Sequence, residues 1–145
     1  MKVKTKYGIG DKCRDLFTLR SGGVITSVLC ESFADFLSDD NAVRTVICYD
    51  VKFKDSVSSI DENYVYSDNP TPAEVETKYE IGDSVTMSLN GKELDVTIKR
   101  IYVSIDSTST RIVYHVITND KFKRLFTIYE HEIISENNHI YEWIN

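Results

Sequence analysis

Proline and cysteine are scarce in this chain of 145 residues, which contains two prolines and three cysteines. The cysteines, Cys13, Cys30 and Cys48, are odd in number, and no two of them have Cys-x-x-Cys spacing. A disulfide framework of the kind that holds small secreted domains together is therefore not expected. Reduced thiols in a cytoplasmic protein fit this pattern better.

Long apolar runs are also missing from the sequence. No run approaches the roughly 18 residues that a membrane-spanning helix needs. No apolar signal segment follows Met1. We therefore predict a cytoplasmic protein that has no membrane partner.

An excess of basic residues is the third absence. The chain carries 17 basic and 23 acidic residues, for a net charge of −6. Residues 1–70 hold 9 basic and 11 acidic side chains, and residues 71–145 hold 8 and 12, so the halves carry net charges of −2 and −4. Neither half has the basic surface expected of a nucleic-acid-binding protein, so nucleic acid is not the favoured partner.

The residue pattern of an active site is not present either. The three histidines, His115, His131 and His139, have no metal-ligand spacing such as His-x-His. A cysteine nucleophile needs a nearby base, yet the half of the chain that holds every cysteine contains no histidine. We therefore predict a protein that is not an enzyme and binds neither a metal nor a cofactor. The cysteines are interpreted as small buried hydrophobic residues.

What the chain does contain is an internal repeat, which bears directly on the fold. "VKTKYGIGD" at Val3 and "VETKYEIGD" at Val75 agree at seven of nine positions, with an offset of 72 residues. Weaker matches follow in the same order, at Ile25 and Ile98, at Tyr49 and Tyr114, and at Ile60 and Ile128. The offset falls from 73 to 65 between the first and second of these, so the first copy holds 8 additional residues. We place this insertion in a loop within residues 29–41.

Both prolines, Pro70 and Pro72, lie between the two copies. Proline lacks an N–H group and restricts the preceding residue to extended conformations, so this stretch predicts a linker. The sequence therefore divides into a first unit at 1–68, a linker at 69–74 and a second unit at 75–145 that ends in an aromatic tail.

Strand patterns dominate both units. "DVTIKRIYVSI" at Asp95 alternates apolar and polar residues with a period of two. Asn90-Gly91 predicts a two-residue hairpin turn because both residues tolerate positive φ, and "RSGGV" at Arg20 holds the equivalent place in the first unit. Only "ESFADFLSDD" at Glu31 predicts a short helix.

The repeated Ile-Gly-Asp segment predicts a structural turn in each unit. We expect Gly10 and Gly82 to have positive φ, and Asp11 and Asp83 to cap nearby backbone N–H groups. A phosphate-binding loop would need several glycines and the N-terminus of a helix, which the sequence does not supply.

"KYEIGDSV" at Lys78, followed by a strand, an Asn-Gly hairpin and a long second strand, resembles the opening of SH3-like small β-barrels, among them KOW and Tudor-like domains. The closing "FTIYEHEIIS" at Phe126 resembles the end of small barrel domains in uncharacterised phage and bacterial proteins. The resemblance covers nearly the whole chain, although Gly8 replaces Glu80 in the first unit. It implies an all-β fold of two tandem SH3-like barrels from an internal duplication. It also implies a location in the bacterial cytosol, in a phage-infected host cell or in a virion.

Function is expected where the two copies differ. Aromatic side chains dominate the energetics of protein interfaces, and three such places hold the candidate partner-binding residues: Phe33 and Phe36 in the insertion, Lys121, Phe122, Lys123 and Arg124 in a basic hairpin, and Tyr141 and Trp143 in the tail. For the hairpin, the favoured alternative is that Phe122 turns inward while the lysines stay solvated. For the tail, the alternative is packing against the barrels.

The function predicted from these observations is a non-enzymatic protein-binding or scaffold module, either a phage virion component or a host-interaction factor. Its partner is expected to be a protein, and self-association is a further option. The first alternative is a nucleic-acid-binding accessory protein that uses Lys121, Lys123 and Arg124, as KOW-like domains suggest. The second is a small-molecule binder at the cleft between the barrels.

Overall fold

The computed structural model describes residues 1–34 and 42–136, whose regular secondary structure is almost entirely β-strand. Within these ranges the only helical segments are the 3₁₀ turns Glu62–Tyr64 and Glu130–Glu132. The predicted all-β class is confirmed. The strands are β1 (Lys2–Lys4), β2 (Lys12–Asp15), β3 (Arg20–Ala34), β4 (Val43–Lys52), β5 (Val57–Asp61), β6 (Val65–Tyr66), β7 (Glu74–Glu76), β8 (Ser84–Leu89), β9 (Lys92–Asp106), β10 (Thr110–Thr118), β11 (Leu125–Tyr129) and β12 (Ile133–Glu136).

All strand pairs are antiparallel. Six strands form a continuous sheet in the order β5-β4-β3-β9-β10-β11. The first parts of the long strands β3 and β9 pair with β2 and β8, which pair in turn with β6 and β12. β1 and β7 form a separate two-stranded sheet. The described strands do not close into a barrel, so the two tandem barrels stay a prediction.

The order of elements in the first half recurs in the second. β1 to β5, a 3₁₀ turn and β6 are followed by β7 to β11, a 3₁₀ turn and β12. Two antiparallel ladders join the halves, and in each a residue pairs with its own counterpart in the repeat: Val3 with Val75, and Cys30 with Val103. Both ladders are therefore centred on equivalent positions, as in a two-fold symmetric pair of chains.

Burial with a period of two builds the core. In β10, Tyr114 and Val116 are buried, whereas His115 lies on the other face, 4.5 Å from the Tyr102 ring between centroids. Cys13 is buried and fills a hydrophobic position. Burial also raises the pKa of its thiol to about 11, which keeps the thiol protonated at neutral pH.

The segment around Glu31 corrects one prediction. Residues 31–34 continue β3, so the predicted helix does not begin at Glu31, and residues 35–41 of the predicted insertion loop lie outside the described residues. Glu31 pairs with Val46 of β4 on one side and with Tyr102 of β9 on the other. The neighbouring strands therefore supply hydrogen-bond partners for the backbone of this extended segment. The pairing partners are distant in sequence, and the local apolar spacing that suggested a helix does not reflect them.

Candidate functional site

The Ile-Gly-Asp segments form two closely similar turns. Gly10 and Gly82 have φ values of 85° and 92°, a region that glycine occupies without strain. Asp11 and Asp83 each accept a hydrogen bond from the backbone N–H three residues earlier, at 2.8 Å. Each aspartate thus fixes its turn by satisfying a backbone donor.

Asp11 has an additional partner that Asp83 lacks within the described residues. Thr71 donates to the Asp11 carboxylate through both its backbone N–H and its hydroxyl. Burial alone would raise the pKa of Asp11, but the hydrogen bonds from Thr71 and Gly8 outweigh it and lower the pKa below its usual value. Thr71 also explains why Gly8 replaces Glu80, because a Cβ atom at Gly8 would lie 2.1 Å from the Thr71 carbonyl oxygen.

A buried tyrosine closes the turn in each half. The Tyr114 hydroxyl donates to Glu130 at 2.7 Å and accepts from the backbone N–H of Tyr79 at 3.4 Å. Tyr49 makes the same pair of contacts in the first half, with Glu62 as the acceptor. Burial, and then the hydrogen bond to the carboxylate, raises the pKa of each tyrosine, so these hydroxyls stay protonated.

The connection between β2 and β3 differs from its counterpart in the second half. The chain turns at Leu16–Leu19, so the prediction of the turn at "RSGGV" is wrong. The Asp15 carboxylate accepts from the backbone N–H of Phe17 at 2.9 Å and from the Thr18 hydroxyl at 2.7 Å. These hydrogen bonds hold the turn in one conformation.

Four large apolar side chains on and beside this turn are exposed: Leu16, Phe17, Leu19 and Tyr64, which we call the Phe17 patch. Phe17 is 76% exposed and meets the Tyr64 ring edge-on at 5.5 Å between centroids. Leu19 is 84% exposed and has a φ of 60°, which is strained for a bulky residue. Strained backbone that presents an apolar side chain to solvent is a feature that clusters at binding sites, so this turn is a candidate functional surface.

A groove of about 480 Å³ separates this turn from β5. The residues that line it include two carboxylates and no basic side chain: Asp15, Phe17, Thr18, Ser58, Ser59, Ile60, Asp61 and Tyr64. In the described part of the chain β5 pairs with β4 alone, so its other edge, which borders the groove, carries unpaired backbone groups. The groove can therefore offer backbone hydrogen bonds, apolar contacts and negative charge together.

The second half shows that the fold does not require such a patch. Its β8–β9 connection is the two-residue turn Asn90-Gly91, with φ values of 51° and 79°, which confirms the predicted hairpin. No large apolar side chain is exposed at this turn. The Phe17 patch is therefore an addition to the first half. The sequence signal for it is the run "LFTL" at Leu16, which has three apolar residues in four, lacks strand alternation and lies between two charged residues.

The predicted basic hairpin, Lys121–Arg124, is the loop between β10 and β11. All four of its residues are exposed, and Phe122 is 68% exposed, so the prediction that it turns inward is wrong. The Asp120 carboxylate accepts from the backbone N–H groups of Phe122 and Lys123 and tightens the loop. The Asp120 carboxylate also forms an ion pair with the Arg124 guanidinium at 3.6 Å. Because Asp120 compensates Arg124, Lys121 and Lys123 are the loop's uncompensated charges.

The remaining candidates do not join a single site. Phe33 lies in β3, where the Arg100 guanidinium is 5.5 Å from the centre of its ring. Phe36, Tyr141 and Trp143 lie outside the described residues. In the structure, the predicted partner-binding residues therefore yield one exposed group, the Lys121–Arg124 loop, while the sequence prediction missed the Phe17 patch.

A second groove, of about 300 Å³, lies where β3 meets β9. Its one carboxylate, Glu31, already accepts from the Arg100 guanidinium and the Tyr102 hydroxyl. Across residues 1–34 and 42–136, no group of three or more histidine, cysteine, aspartate or glutamate side chains is arranged to hold a metal ion. The same residues contain no helix of the length and apolarity that a membrane span demands.

Comparison with known proteins yields no match to a family model, to a curated protein or to a solved structure.

Proposed function

We propose that this protein is a non-enzymatic protein-binding module made of two SH3-like units from an internal duplication. The recurring element order and the ladders centred on Val3/Val75 and Cys30/Val103 support the duplication. Its binding site is the groove beside the Phe17 patch, which takes an extended segment of a protein partner.

The observation that carries this proposal is the exposure of the Phe17 patch on a turn that is held rigid. A pre-formed turn loses little conformational entropy on binding, so its apolar contacts contribute fully to affinity. The unpaired edge of β5 suits a partner segment that adds as a β-strand, with backbone hydrogen bonds for affinity and side-chain pockets for specificity. The partly exposed carboxylate of Asp61 favours a partner segment with a basic residue.

Selection of binders from a displayed library of random linear peptides tests the proposed groove. Peptides that bind the wild-type protein are expected to bind the Phe17→Ser variant about tenfold more weakly or worse, because Phe17 anchors the patch. Fluorescence anisotropy with the selected peptides measures the change. Val43→Ser, which alters an exposed apolar residue of β4, is the matched control and is expected to bind as the wild type does. Peptides that bind Phe17→Ser with unchanged affinity would contradict the proposal.

The exposed Lys121–Arg124 loop supports a second candidate function, binding of single-stranded nucleic acid. Phe122 offers a ring for base stacking beside Lys121 and Lys123. Under this alternative, a labelled oligonucleotide binds at low salt, and the Lys121→Gln/Lys123→Gln double variant binds less tightly with a shallower salt dependence. The acidic balance of the chain makes this the weaker candidate. Absence of any anisotropy change at low salt would exclude it.

A further inference from the structure

We propose that the groove beside the Phe17 patch is occupied by a second copy of this chain, which docks its β11 edge and its Lys121–Arg124 loop there. This inference rests on the proposed function, since it names the partner of the same groove. The contact is head-to-tail: the groove at one end of one molecule receives the loop and strand at the other end of the next.

The two surfaces lie at opposite ends of one sheet. β5 and β11 are the outermost strands of the order β5-β4-β3-β9-β10-β11, and each pairs on one side only among the described residues. β11 has the sequence Leu-Phe-Thr-Ile-Tyr, without charge, proline or glycine. Natural proteins protect free edges with such residues or with bulges, and an unprotected edge is available for pairing with another chain.

Strand direction allows the sheet to continue from one copy into the next. Every neighbouring pair in the six-stranded sheet is antiparallel, so β5 and β11 run in opposite directions. A translated copy therefore brings its β11 antiparallel to β5. Ile60 and Ile128 are buried, so Ser59 and Thr127 share the outer face, and pairing Thr127 with Ser59 keeps the faces of the two sheets aligned.

This register also brings matching side chains together. With Thr127 opposite Ser59, Phe126 lies opposite Ile60 and Leu125 opposite Asp61. The loop that holds Phe122 then lies beyond Leu125, toward the 3₁₀ turn that holds Tyr64 of the Phe17 patch. Phe122 and Leu125 are 68% and 75% exposed, so two apolar groups leave water on docking. The hydrophobic contact thus falls in the groove rather than along the polar middle of the strand.

Charge complementarity favours the same arrangement. The docking loop carries Lys121 and Lys123 as uncompensated cations, while the groove presents the partly exposed carboxylate of Asp61. The other carboxylate of the groove, Asp15, is buried and interacts with Arg20. Opposite charges at the rim speed encounter and disfavour contacts between two grooves or between two loops. Because the loop and the groove are different surfaces, the contact is heterologous and each dimer keeps one free groove and one free loop.

The shared edge is short, so association is expected to be weak. β11 has five residues, and contacts of this size lie below those of stable dimers. Sedimentation velocity from about 10 μM to about 500 μM is expected to show a sedimentation coefficient that rises with concentration, in the range where micromolar affinities are measured. The rise is expected to shrink in high salt, which screens the exposed charges.

Two variants and their mixture test the head-to-tail geometry. Phe17→Ser removes the groove's anchor and Phe122→Ser removes the loop's anchor, so each variant alone is expected to remain a monomer. Their equimolar mixture is expected to form a dimer that grows no further, because one intact groove meets one intact loop. Both side chains are exposed, and an unchanged melting temperature of each variant verifies that it is folded.

Several outcomes would overturn the inference. The wild-type protein could stay monomeric at the highest concentration. The single variants could associate as the wild type does. The mixture of variants could fail to associate under conditions in which the wild type does. A wild-type monomer that still binds selected peptides in a Phe17-dependent way would reject the second copy as occupant and keep the proposed function. A wild-type protein that binds no library peptide and does not self-associate would reject both.

Discussion

Replacement of Tyr114 by alanine is expected to lower the free energy of unfolding by about 4 kcal/mol, the middle of the range for removing a large buried aromatic side chain. Tyr114 is fully buried, and its ring meets Tyr79 edge-on at 5.8 Å between centroids. Its hydroxyl is the link between Glu130 and the entry turn of the second half. Urea unfolding followed by circular dichroism measures the loss.

Tyr114→Phe separates the ring from the hydroxyl. This variant keeps the packing but leaves the Glu130 carboxylate and the Tyr79 N–H without their shared partner, and a loss of about 1–2 kcal/mol is expected. Tyr129→Ala, at an exposed position of β11, is the comparison substitution and is expected to cost less than about 1 kcal/mol. A Tyr114→Ala protein as stable as Tyr129→Ala would show that the tyrosine does not hold the second half together.

Asp11→Ala is expected to lower the free energy of unfolding by about 3 kcal/mol, whereas Asp83→Ala at the matching position is expected to lower it by about 1 kcal/mol. Hydrogen bonds to charged groups contribute about 1.5–3 kcal/mol, and a buried donor left without its partner adds to the loss. Asp11 accepts from Gly8 and twice from Thr71, and Asp83 accepts from Glu80 alone within the described residues. Equal losses for the two alanine variants would contradict this account.

The pH dependence provides an independent test of Asp11. Its pKa is lowered in the folded state, so its stabilising contribution is complete above the unfolded value of about 3.9 and is lost as pH falls through the folded value. The difference in unfolding free energy between the wild type and Asp11→Asn is therefore expected to shrink as pH falls from about 5 toward 3. A difference that stays constant over this window would show that the carboxylate charge is not the stabilising feature.

The candidate site was predictable only in part. The aromatic and basic content of Lys121–Arg124 marked that loop, but the orientation of Phe122 depends on hydrogen bonds from the backbone to Asp120. The Phe17 patch escaped prediction because its exposure follows from a turn held by Asp15, and its partner Tyr64 lies 47 residues from Phe17 in sequence. The comparison of the two halves is what identifies the patch as an addition to the fold.

The sequence by itself determined the all-β class, the two glycine turns and the Asn90-Gly91 hairpin. These are local properties, because alternation with a period of two and tolerance of positive φ are read from adjacent residues. Only the tertiary structure decided that β3 pairs with β9, that Glu31–Ala34 is strand, and that Thr71 caps Asp11. These features join groups about 60 to 80 residues apart, whose pairing depends on which surfaces pack together and is not recorded in any local pattern.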